Sequence, residues 1–289
     1  MSEPVSLEAG VRQGGILSPL LFSTFIDEIL SELSNSKLGC FLHGRCLNSF
    51  LYADDLLLLS PTVCDLQLLF DKCSSILDEL DLQINHEKSC CLRIGNRCGA
   101  LCSPIVVNNL TLKWVKEARY LGLTFSSSIK FSCNWQPVKK RLFSSINRIL
   151  SSLGTNPEVS VVLSLFQSVC TPILIYGLNA LSLKTSEINS LTFAFNNLFH
   201  KFFKTSNKNT IEQCQYFCGV WPFFALYEFH RFNFLACMFK KITSRNHDLL
   251  HQADFDELAA IALKYNFKFQ DSINCLKLKV WSFIEKSFI

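Results

Sequence analysis

Charge is scarce in this sequence. Only 18% of its 289 residues are Asp, Glu, Lys or Arg, while 49% are apolar. A chain with so little charge and so much apolar side chain can bury a substantial core, which excludes global disorder. A secretory start is also lacking, because "MSEPVSLEAG" has neither a basic opening nor an apolar run. The fourteen scattered cysteines are therefore expected to be reduced, mostly core thiols of an intracellular protein, in either nucleus or cytoplasm. No internal repeat and no low-complexity run is present. The length suits one large domain or two ordinary ones.

The charge that is present is unevenly placed. Residues 1–84 hold 4 Lys/Arg against 12 Asp/Glu, residues 85–148 hold 11 against 2, and residues 149–289 hold 13 against 10. An acidic segment followed at once by a basic one suits a metal site beside a polyanion track, or equally two solvated faces of opposite sign.

Periodicity predicts an α+β fold. "GVRQGGILSPLLFSTFIDEILSEL" is a glycine loop feeding a helix, with Ser18 as cap, Pro19 in the first turn and an apolar stripe from Leu21 to Leu33. "LGCFLHGRCLNSFLYADDLLLLS" reads as strands broken at 43–45 and again at Asp54 and Asp55, the second break a tight hairpin with the aspartates at its tip. A second amphipathic helix covers 62–80, and the strand "SCCLRIG" follows it. Then "IVVNNLTLKWV" and "ARYLGLTF" give short strands, the first around a turn at Asn108 and Asn109. After Phe131 the pattern becomes helical, over 135–153, 159–170, 186–204 and 221–242, with a last helix or two after Phe255. From Val159 to Leu183 no residue is charged. Thr171-Pro172 is expected to split that run into a buried helical pair, each half too short to span a bilayer, so no membrane contact is expected.

Two adjacent carboxylates amid aliphatic strands call for water, a shared proton or a divalent cation. The order "RQGG…LSP", "YADD", "LQINHEKS", "ARYLGLTF" resembles the reverse transcriptases of non-LTR (LINE-type) retrotransposons, densely from Gly10 to about Leu183. The resemblance implies a partial polymerase palm over 1–130, an antiparallel sheet packed by helices, then thumb-like helices over 131–184 and a helical C-terminal extension over 185–289. It implies RNA-templated DNA synthesis from deoxynucleotides on a DNA primer, with Mg²⁺ or Mn²⁺. Asp54 would be the shared metal ligand and Asp55 its supporting carboxylate. Tyr52 would lie beside the primer end, and Arg12, Gln13, Gly14 and Gly15 would meet template and nucleotide. Lys88 would neutralise pyrophosphate or donate a proton, and Tyr120, Leu121 and Gly122 would support the primer. Lys139, Lys140 and Arg141 open a helix that could follow the duplex backbone.

This sequence departs from the family pattern in two places. Gly15 and Ile16 stand where the family commonly has cysteine and proline, which is expected to loosen the loop. The third catalytic aspartate of the family, on a strand upstream of the glycine loop, has no counterpart here; Glu3 and Glu8 are too close to the loop to replace it. The expected protein is thus a fragment with weak metal binding and little or no activity alone, or a non-catalytic nucleic-acid-binding remnant. A small metal-dependent nuclease is a third reading, with His86 as the nearest additional group. Cys214, Cys218, His230 and Cys237 have the composition of a zinc knuckle without its spacing, and Cys90, Cys91, Cys98 and Cys102 also lack a regular spacing.

Overall fold

The computed structural model describes residues 10, 12, 14–42, 44–107, 110–154, 157–242 and 252–286. The chain divides into two compact units, Met1–Asn134 and Trp135–Ile289.

The first unit is built around two helices and small sheets. Helix α1 (Ser18–Asn35) buries Ile26, Ile29 and Leu33, one stripe at helical spacing. After it come the short pair β1 (Phe41–Leu42) and β2 (Arg45–Cys46), then the hairpin β3 (Ser49–Tyr52) and β4 (Asp55–Leu58). Helix α2 (Val63–Glu79) starts at Thr62, whose side chain accepts from the Asp65 N–H at 3.0 Å. This helix has two working faces. Leu69, Cys73 and Ile76 pack with α1 and with Leu51, Leu56 and Leu58 of the hairpin. Val63, Leu66 and Phe70 cover a second core of Cys91, Ile105 and Leu112.

That second core rests on a three-stranded sheet of β5 (Cys90–Leu92), β6 (Ile105–Val107) and β7 (Leu110–Val115), in the order β5-β7-β6. Here the expectation of one antiparallel sheet needs correction. β5 pairs parallel to β7, Cys90 opposite Lys113, and does not return to the aspartate hairpin. Gln67 of α2 accepts from the Val106 N–H at 2.9 Å and donates to its carbonyl at 2.7 Å, which closes the outer edge of β6 and leaves the edge of β7 for β5. The unit closes with the hairpin β8 (Glu117–Tyr120) and β9 (Leu123–Ser126). The turn assigned to Asn108 and Asn109, and His43 in the first strand break, lie outside the described residues.

The second unit is helical. It runs through α3 (Gln136–Ser152), α4 (Val159–Leu165), a π turn (Phe166–Cys170), α5 (Thr171–Ile175), α6 (Thr185–Phe202), α7 (Lys208–Phe217), α8 (Phe223–Ile242), α9 (Gln252–Tyr265) and α10 (Ile273–Lys286). Pro172 does not split its helix as expected. A proline inside a helix removes one N–H and crowds the carbonyl four residues back, and the π turn directly before it widens the coil to fit. The Thr171 N–H and hydroxyl both reach the Phe166 carbonyl. Among the described residues one helix, Val159–Ala180, is long and apolar enough to cross a membrane. Its buried residues are Val162, Phe166, Cys170, Leu174 and Leu178, a stripe at every fourth position that belongs to the unit's own core.

Between α8 and α9 sits a buried ion cluster. Arg231, 2% exposed, donates to Asp254 at 2.8 Å, to Glu257 at 2.9 and 3.1 Å and to the Asn179 carbonyl at 3.2 Å. Helix α7 was absent from the periodicity reading: its sequence "KNTIEQCQYF" is mostly polar and buries only Ile211 and Gln215. The signal that would have found it is Asn207, whose side chain caps the N–H groups of Asn209 and Thr210.

Candidate active site

The pleat of the hairpin explains why carboxylates stand among leucines. Leu51 faces Leu56 and Ser49 faces Leu58 across the ladder, and these leucines join the α1–α2 core. Phe50 opposite Leu57 and Tyr52 opposite Asp55 lie on the other face. Tyr52 is 66% exposed, and Asp54 and Asp55 are exposed at the tip. The turn is Ala53-Asp54, with Ala53 at φ +52°. Left-handed backbone at an alanine costs about 1 kcal/mol, so the tip is held by its strands against a local preference.

A buried amide anchors this hairpin, and sequence reasoning missed it. Asn48, 1% exposed, donates to the carbonyls of Leu33 at 2.7 Å and Leu38 at 3.0 Å, tying the start of β3 to the end of α1. Gly39, at φ +92°, lets the chain pass beneath: a Cβ there would lie 2.6 Å from the Asn48 Cβ and from the Leu59 carbonyl. Its signal in the sequence was an asparagine and a glycine inside an apolar stretch, a pattern that also marks ordinary turns.

The second hairpin lies within electrostatic reach of the first. Its turn, Leu121-Gly122, has both residues left-handed, at φ +45° and +81°, as a two-residue type I′ turn requires. Burial, and then the Asp55 carboxylate, push the Tyr120 phenol above its ordinary pKa. Tyr120 and Asp55, far apart in sequence, are thus neighbours in one electrostatic environment.

The glycine loop folds back on α1. The Arg12 carbonyl accepts from the Gly15 N–H at 3.2 Å and from the Ser18 hydroxyl at 2.6 Å. Ser18 is therefore not the helix cap; α1 begins without a side-chain cap because that hydroxyl closes the loop. A Cβ at Gly15 would sit 2.5 Å from the Ser18 Oγ, so the glycine tightens the loop. Gly14 is left-handed at φ +80°, Arg12 is exposed, and Gln13 lies outside the described residues. Lys88 is exposed in a turn where the Asn85 side chain accepts its N–H at 3.1 Å, and it makes no ion pair with Asp54 or Asp55. His86 is half-buried, and its Nδ1 has no hydrogen-bond partner among the described residues.

The donor set at the tip is two hard carboxylates open to solvent. Among the described residues no three or more His, Cys, Asp or Glu side chains converge into a metal site. All fourteen cysteines are free thiols.

Residues 2–125 match the reverse transcriptase (RNA-dependent DNA polymerase) family. Several curated proteins are similar to this chain. The Pol polyprotein of the type-2 retrotransposable element R2DM of Drosophila melanogaster is 31% identical over 43% of this chain and 12% of its own length. That of the type-1 element R2 of Bradysia coprophila is 39% identical over 44% and 15%. The RNA-directed DNA polymerase from the mobile element jockey of Drosophila melanogaster is 22% identical over 64% and 21%. This chain is similar to polyproteins and polymerases of non-LTR retrotransposons, and spans between 12 and 21% of the length of these relatives.

Proposed function

We propose that this chain is the carboxylate-bearing part of an RNA-directed DNA polymerase of a non-LTR retrotransposon, acting on an RNA template, a DNA primer and deoxynucleotides. The observation that carries the reading is the exposed Asp54-Asp55 tip with the Tyr120 hairpin beside Asp55, inside the segment that matches the family. Asp54 and Asp55 fit Mg²⁺ or Mn²⁺, since such ions take one or two carboxylates and complete their shell with water and substrate phosphates. When bound there, a pair of these cations supplies Lewis acidity to the primer 3′ hydroxyl and to the leaving pyrophosphate.

The chain's own residues do the positioning. Tyr52 shares a face with Asp55 and offers its exposed ring to the primer end, while the left-handed turn at Leu121 and Gly122 closes the hairpin that carries Tyr120. Arg12 and Gln13 donate to phosphate or base, with Gly14 and Gly15 allowing close backbone approach. Lys88, exposed and without an ion pair among the described residues, acts on pyrophosphate. The palm spans 1–130, residues 131–184 act as thumb and 185–289 extend it. Lys140 and Arg141, exposed on α3, track the duplex backbone, while Lys139 is tied to the Ser190 hydroxyl at 2.9 Å. With two carboxylates and no third ligand converging on them among the described residues, metal affinity is weak and the isolated chain turns over poorly or not at all.

Primer extension on an RNA template with Mg²⁺ tests this, using the chain alone and a fusion that carries the family's first palm motif ahead of residue 1. Extension by the fusion, abolished by Asp54→Asn, is the expected result. Extension that survives Asp54→Asn refutes the assignment. The net charge of +9 over residues 85–148 favours a second reading, a nucleic-acid-binding protein without catalysis. Salt-sensitive binding with no extension by either form would select it.

A further inference from the structure

We infer that the helical unit beginning at Trp135 carries a pocket for an unpaired nucleobase, walled by Trp221 and Trp281 and edged by His230 and Lys277. The cavity is ≈ 370 Å³. That is near the small end of ligand pockets, which run from about 300 to 1,000 Å³. Its walls come from separate elements: Gly219, Val220 and Trp221 precede α8, Phe229 and His230 lie on α8, and Lys277 and Trp281 stand one turn apart on α10.

The two indoles meet edge-on at 72° with centroids 6.1 Å apart, so they form adjoining walls. Both are half-buried, held from behind by Phe229 at 5.1 Å from Trp221 and by Tyr216 at 6.2 Å from Trp281. A flat π-system can stack on one wall and meet the other edge-on. Burial, and then Lys277, hold His230 below its ordinary pKa. Near neutral pH its ring is uncharged and presents one donor and one acceptor nitrogen. Gln167, exposed on the π turn, adds an amide with both capacities.

Several features favour a base over an apolar peptide side chain. Donors and acceptors edge an aromatic wall, a cation stands exposed at the rim where a phosphate would lie, and residues 135–289 carry 17 Lys/Arg against 10 Asp/Glu. The base must be unpaired, because a duplex keeps both faces of each base stacked. The inference rests on the proposal that this protein engages nucleic acid.

The test is the affinity of the full chain for three labelled probes of equal length: an oligothymidylate, an abasic strand with the same phosphates, and a DNA duplex. Trp281→Ala is expected to weaken thymidylate binding roughly tenfold and leave the abasic strand and duplex unchanged. Trp281→Phe, which keeps a stacking face, should retain most of the affinity and controls for folding. Lys277→Gln, a surface change, should lower the salt slope for thymidylate by about one ion. Binding that is tight but indifferent to Trp281→Ala, or weakened equally for the abasic strand, would overturn the pocket and leave the proposed function standing. No binding to any probe would overturn both.

Discussion

Asn48 offers the sharpest test of how the aspartate turn is held. Asn48→Leu keeps the branched heavy-atom shape and removes the amide that donates at 2.7 Å to Leu33 and 3.0 Å to Leu38. The two carbonyls do not suffer equally. Leu33 still accepts from the Ser36 N–H at 3.2 Å and from its hydroxyl, whereas Leu38 keeps only the Cys46 thiol at 3.6 Å. One lost hydrogen bond at about 1 kcal/mol and one poorly satisfied buried carbonyl at about 1 to 3 kcal/mol give about 2 to 4 kcal/mol. Because the loss is local, it should appear as faster amide exchange in peptides covering 36–58, roughly 30- to 1,000-fold, while α8 exchanges as before. Asn48→Asp should be worse, since it sets a carboxylate oxygen against carbonyl oxygens. Native-like exchange over β3 and β4 in Asn48→Leu would refute the claim that this amide fixes the hairpin.

Three further outcomes follow from the same geometry. Gly39→Ala forces a Cβ to 2.6 Å from Asn48 and Leu59 at φ +92° and should cost about 2 kcal/mol or more, read as the same loss of protection over 36–58. Arg231→Met leaves Asp254 and Glu257 without their cation; because both carboxylates reach some solvent, the expected loss is about 2 to 4 kcal/mol, measured as a fall in urea midpoint by tryptophan fluorescence. The Tyr227 phenol is pushed up to about 12, chiefly by burial. A pKa raised on folding means the native state resists losing the proton, so stability is full below pH 10 or so and declines as pH climbs towards 12. Tyr227→Phe should remove that part of the alkaline decline, and an unchanged profile would contradict it.

Sequence alone revealed the elements that bury a regular stripe. Helices α1, α2, α3 and α8 and the aspartate hairpin follow from apolar spacing and from the break at Asp54 and Asp55, whereas the Tyr120 hairpin followed only from the resemblance. What it did not reveal depends on partners distant in the chain. The parallel pairing of β5 with β7 depends on Gln67 occupying the edge of β6, a role no local pattern marks. Ser18 has the position of a cap but spends its hydroxyl on the Arg12 carbonyl, and Pro172 sits in a helix that a π turn makes room for. Of the candidate site, the loop, Tyr52, the aspartates and the Tyr120 hairpin were all legible as motifs; the anchor Asn48 and the closeness of Tyr120 to Asp55 were not.

The hairpin also resolves the energetic puzzle of adjacent carboxylates. Two charges about 4 Å apart would repel by roughly 4 kcal/mol at an effective dielectric near 20, but by only about 1 kcal/mol in bulk water. The pleat sends Leu51, Leu56 and Leu58 into the core and leaves the tip in solvent, so Asp54 and Asp55 stay on the cheaper side of that range. No shared proton or resident cation is then needed for the chain to fold. The two turns carry left-handed backbone at Ala53 and Leu121, and the Asp55 carboxylate acts on the Tyr120 phenol. Carboxylates that are stable without a metal, on a tip fixed by a buried amide, can take up cations when substrate phosphates bring the remaining oxygen ligands. A tip of this kind couples metal binding to substrate binding: Mg²⁺ affinity, weak for the free chain, should rise when primer, template and deoxynucleotide are present, and Asp54→Asn should abolish that rise.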